Sequence, residues 1–141
     1  MKLKLFLLVY IMFLVSCAQT EHKNIKNTSI TFGDVVDLSK LEKVTMHNNS
    51  GTFVLNTKQM EKLKGELSKM EYEKDLTVKL GSIYIELIID GKKCGISSRT
   101  HANYIEVHKN SLTETKDLSA DRDWFYFKTN GVNFDNYKKQ I

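Results

Sequence analysis

Residues 83–97 read Ile-Tyr-Ile-Glu-Leu-Ile-Ile-Asp-Gly-Lys-Lys-Cys-Gly-Ile-Ser. The period is two. Ile83, Ile85, Leu87 and Ile89 point to one side, while Tyr84, Glu86, Ile88 and Asp90 point to the other. Such alternation is the pattern of a strand with one buried face. Asp90-Gly91 is a strong two-residue hairpin signal, and Lys93–Ser97 forms the return strand.

The same period continues downstream. Over Tyr104–Lys109, Ile105 and Val107 point inward, and Tyr104, Glu106 and His108 point outward. Asn110–Asp123 is a polar connection with room for a short helical turn. Trp124–Lys128 is an aromatic strand, Thr129-Asn130-Gly131 a turn, and Val132–Phe134 is expected to pair back.

Upstream, Leu41–His47 and Thr52–Leu55 flank Asn48-Asn49-Ser50-Gly51, whose residues tolerate the positive φ of a hairpin turn. Then the period lengthens. Met60, Leu63, Leu67 and Met70 recur at helical spacing, with Lys58, Lys62, Lys64, Glu66 and Lys69 on the other side. Asn56 with Gln59 three residues on is a capping box. A helix over about 57–70 follows, with Gly65 inside it. Gly65 is expected where the helix approaches the sheet closely. The order β-β-α-β-β-β-β predicts an α+β fold: an antiparallel meander of about five to seven strands, with the helix on one face.

The chain has 141 residues, 7 glycines, 2 cysteines and no proline, with 41% hydrophobic and 27% charged residues. These figures exclude a collagen, a coiled-coil array, a multi-domain enzyme and a disordered tail. The net charge is +4. Leaving out Lys2 and Lys4 leaves 19 basic against 17 acidic residues, too even a mixture for a nucleic-acid partner.

Lys2 and Lys4 precede Leu5–Val15, an unbroken apolar run of eleven residues. A spanning helix needs about 20 residues, and this is the length of a signal-peptide core. The run ends in Leu14-Val15-Ser16-Cys17, which resembles the lipobox of bacterial lipoproteins. The resemblance covers only these first 17 residues. It implies cleavage between Ser16 and Cys17, removal of 1–16, and a diacylglyceryl-modified, N-acylated Cys17. Ala18 at the next position, rather than an aspartate, resembles outer-membrane sorting in enteric-type Gram-negative bacteria. A Gram-positive source would place the anchor on the outer face of its single membrane. The alternative is a plain secretory signal or a short uncleaved anchor, with Cys17 coincidental. Residues 17–28 then form a lipidated, polar tether, and 29–141 one domain.

With Cys17 acylated, Cys94 is the remaining thiol and is expected to pack in the core. The histidines are His22, His47, His101 and His108, and no pair has metal-helix spacing. Glu106 and His108 share a strand side and offer two ligands, for which His47 or Glu86 would be the third. Asp117, Asp121 and Asp123 lack the glycine of a calcium loop, and pairing with Arg122 or a lysine is expected there. Glu86, Asp90 and Glu106 are the carboxylates available for glycosidase work, and nothing marks them out. Nucleophile-elbow, phosphate-loop and dinucleotide patterns are absent. No catalytic residue, metal or cofactor is expected.

One side of the sheet stands out. If Phe125 and Phe127 face the helix, the other side carries Tyr84, Glu86, Ile88, Tyr104, Glu106, His108, Trp124, Tyr126 and Lys128. Aromatics interleaved with charges supply rigid area and directional bonds for recognition. The opposite orientation, with Trp124 and Tyr126 inward, is the alternative. The expectation is a lipid-anchored envelope protein without catalysis, binding a protein or peptide as an accessory or an immunity/inhibitor component. A small envelope hydrolase or metal-binding protein using Glu106 and His108 is the alternative, and a structural spacer the second.

Overall fold

The computed structural model describes residues 29–76, 81–98, 103–115, 118 and 121–139. Ser16, Cys17, the tether, His22, His101 and Asp117 lie outside the described residues. The strands are β1 (Leu41–Asn48), β2 (Gly51–Val54), β3 (Tyr72–Glu73), β4 (Ile83–Ile89), β5 (Lys92–Ser98), β6 (Tyr104–His108) and β7 (Trp124–Lys128). The helices are α1 (Phe32–Val35) and α2 (Thr57–Leu67). All pairings are antiparallel, in one seven-stranded sheet ordered β2-β1-β4-β5-β6-β7-β3.

The β4–β5 hairpin turns where expected, with Asp90 at φ 51° and Gly91 at φ 70°, the left-handed pair that a two-residue turn requires. Its alternation sets the inner face. Phe53, Met46, Ile85, Ile96, Val107 and Phe125 stand opposite one another across six strands. All belong to one contiguous core with Leu63 and Leu67 of α2 and with Phe32 of α1. Phe32 meets Phe127 edge-on at 5.3 Å.

The capping box forms. Asn56 Oδ1 accepts from the Gln59 N–H at 2.9 Å, and Gln59 Oε1 from the Asn56 N–H at 3.2 Å. α2 is shorter than the 57–70 expected. It ends at Leu67 because the chain tightens: the Lys69 and Met70 N–H groups donate to Glu66 and Leu67, three residues back. Met70 is still buried beyond the end. α2 follows β2 at one sheet edge and leads to β3 at the other, so it crosses the inner face.

Three further expectations are corrected. Val132–Phe134 does not pair back; a helical turn over Phe134–Asn136 follows Asn133, whose side chain accepts from the Asp135 N–H. In the β1–β2 turn only Gly51 has positive φ, because the Asn48 side chain accepts from the Ser50 N–H and holds the turn. Gly65 is exposed with open space around it, so no close approach to the sheet requires it. β3 and α1, two and four residues long, are additions to the expected order.

A candidate binding face on the open side of the sheet

Inward Phe125 and Phe127 leave the alternate residues of β7, Trp124 and Tyr126, on the outer face with Lys128. The register then builds a row across all seven strands. Thr52 stands opposite His47, His47 opposite Tyr84, and Tyr84 opposite Ser97. Ser97 stands opposite Glu106, Glu106 opposite Tyr126, and Tyr126 opposite Glu73. Glu86 and Gly95 flank this row on one side, as do His108 and Trp124; Tyr104 and Lys128 flank it on the other.

The row is ordered by side-chain contacts. His47 Nδ1 lies 2.9 Å from Thr52 Oγ1, and its ring meets Tyr84 at 5.6 Å. Tyr84 lies across Gly95, where a Cβ would come within 2.6 Å of the phenol oxygen. Lys93 holds Glu86 at 3.0 Å. His108 packs edge-on to Trp124 at 4.8 Å, and its Nδ1 accepts from the Asn110 N–H at 3.2 Å. Lys128 bonds Glu73 at 2.7 Å, and this hydrogen bond and charge hold its ammonium above the ordinary lysine value.

Among the described residues, the exposed large hydrophobics are Val54 at 53%, Tyr84 at 42% and Trp124 at 45%. All three lie on this face. Its charges are of both signs. Tyr126 is on the face but only 7% exposed, so it forms a floor rather than a contact. Of the nine expected face residues, the structure thus brings eight to the surface around one buried tyrosine. His47, Thr52 and Val54 join them. The alternation of Val44 and Met46 already implied His47; nothing in the sequence marks Glu73.

The alternative ligand set does not converge. His47 on β1 is three strand spacings, about 14 Å, from Glu106 on β6. Glu86 is two spacings away and engaged by Lys93. Among the described residues no group of three His, Cys, Asp or Glu could hold a metal ion. Arg122 donates to the Leu76 carbonyl at 3.1 Å, a backbone bond rather than the expected carboxylate pairing. A cavity of about 520 Å³ does lie at the β4–β5 turn. Cys94, Val36 and Ile89 line it together with Lys40, Lys92 and Lys93, but Glu106 and His108 do not.

Cys94 is 3% exposed, and burial pushes its thiol up to about 11, against a smaller opposing hydrogen bond with Ser111. That is the reverse of what a nucleophile needs. Among the described residues no helix is long and apolar enough to cross a membrane. The chain matches no protein-family model, no curated protein and no solved structure.

Proposed function

We propose that this chain is a lipid-anchored protein of the bacterial cell envelope, fastened through acylated Cys17, whose domain binds a protein or peptide on the outer face of its sheet. The observation that carries the reading is that Val54, Tyr84 and Trp124, the exposed large hydrophobics among the described residues, all lie on this one face, which also carries the Lys93–Glu86 and Lys128–Glu73 pairs. An exposed aromatic supplies large rigid area at little entropic cost, and flanking histidines and carboxylates add direction. The lipobox supports the anchor. Each buried CH₂ contributes roughly 0.8 kcal/mol, so two or three acyl chains hold a small domain on a bilayer. An accessory component of an envelope complex and an immunity or inhibitor protein both need this combination of tether, stable body and contact face. In a Gram-negative cell, Ala18 favours the periplasmic face of the outer membrane.

The test is recovery of a partner from envelope extract by the full chain. Trp124→Ala and Tyr84→Ala should each reduce recovery at least about tenfold, a loss of roughly 1.4 kcal/mol or more, with circular dichroism unchanged. Undiminished recovery by both folded variants would dismiss the face.

A further inference from the structure

The two edges of the sheet are built differently. β3 is two residues long, and its Glu73 is bound to Lys128. Shortness and charge are devices that keep an edge from recruiting another strand. β2, Gly-Thr-Phe-Val, has neither a charge nor a proline.

The ladder with β1 sets the backbone polarity of β2. The Leu55 N–H donates to the Val44 carbonyl at 3.0 Å. In the register Val54–Thr45, Phe53–Met46, Thr52–His47 and Gly51–Asn48, Leu55, Phe53 and Gly51 therefore occupy the hydrogen-bonded pairs. Thr52 and Val54 turn their N–H and C=O groups to the open side. Beside them runs a groove of about 430 Å³, bounded by the edge, by Asn56 and Gln59 at the start of α2, and by Lys139. The Asn56 oxygen is engaged in the cap, and the Gln59 amide donates to the Lys138 carbonyl. Among the described residues, Lys139 is the one charged residue lining the groove.

The geometry points to β2 as the docking edge for an extended, acidic segment of a partner protein. The segment adds as an eighth strand, exchanges main-chain hydrogen bonds with Thr52 and Val54, and sets a carboxylate against Lys139. Two other occupants fit less well. Ile30, near the start of the described residues, lies beside β3, where its carbonyl accepts from the Tyr72 N–H, six strand spacings or about 29 Å from β2. A second β2 would put two Lys139 cations at one shared groove. The inference rests on the domain being a protein-binding module and uses the main-chain groups of the β2 edge, where the face uses side chains. Val54 and Thr52 belong to both edge and face, so a partner can span the two.

The probes are acetylated, amidated pentapeptides Thr-Val-Glu-Val-Thr and Thr-Val-Lys-Val-Thr, titrated into the isotope-labelled full chain in detergent and followed by NMR. The glutamate peptide should shift the Thr52 and Val54 amides saturably and protect them from exchange. It should bind about tenfold more tightly than the lysine peptide, with the preference reversed in Lys139→Glu. Val54→Pro removes an outward N–H that an edge can spare, and should abolish binding with the remaining spectrum unchanged. Val54→Lys provides a second block. No saturable shift, shifts indifferent to Val54→Pro, or a dimer through β2 without peptide would each overturn the edge. Partner recovery separates the two readings: loss with Trp124→Ala but not with Val54→Pro keeps the face and discards the edge, and loss with neither discards both.

Discussion

Two glycines show how single residues serve the fold and the face. Gly95 is the place where Tyr84 lies down on the sheet. An aromatic ring covering a strand glycine restores packing that the missing side chain forgoes, so the glycine shapes the exposed surface. Gly65 has no such partner. It is exposed inside α2 with nothing for a Cβ to meet, and Gly65→Ala should stabilise the protein by up to about 1 kcal/mol, read as a higher melting temperature. Cys94 makes the opposite case, a reactive residue type in an inert setting. Its thiol is pushed up to about 11 by burial, so alkylation of the native protein at neutral pH should be far slower than of the unfolded chain. The sign for stability follows. The raised value means the contribution is intact below the ordinary thiol range near 9.0 and is lost as pH rises from there toward 11. Rapid native alkylation, or an alkaline limb unchanged in Cys94→Ala, would contradict this placement.

Between elements, the sequence is legible where a rule is local. Period-two alternation fixed which residues of β4 and β6 face the core, and Asn56 with Gln59 marked the start of α2; the aromatic run of β7 left both orientations open. What was not legible depends on distant partners. Asn48 donates to the Phe134 and Tyr137 carbonyls at 3.0 and 2.9 Å, across 86 and 89 residues. Tyr137 donates to Glu66 at 2.6 Å, and burial, reinforced by that bond, holds its hydroxyl well above the usual tyrosine range. These bonds lay the C-terminal segment along α2 and the β1–β2 turn instead of letting it pair as a strand. Asn48→Ala leaves two part-buried carbonyls without their donor and should cost about 1–3 kcal/mol in denaturant unfolding. A change within a few tenths of a kcal/mol would mean the segment is held by its apolar contacts alone.

For the whole molecule, the sheet divides two tasks. One face buries the aliphatic rows and Phe125 and Phe127 beneath two helices; the other presents tyrosine, tryptophan and histidine between ion pairs. The outer-face residues of β4 and β6 could be read from parity; those of β7 could not, because its residues are aromatic on both sides. Nor could the row from Thr52 to Glu73, because register across seven strands is set by loops and a two-residue edge strand. The burial of Tyr126 at the centre of the face escaped for the same reason. The central claim is that this face meets a partner while acyl chains hold the domain at a bilayer. Photo-crosslinking in intact cells tests it most directly, with a benzophenone amino acid at Tyr84 and, as control, at exposed Lys58 on α2. A discrete crosslinked product is expected from position 84 in the membrane fraction, lost in Cys17→Ser, and none from position 58. Equal products from both positions, or none from either, would contradict it.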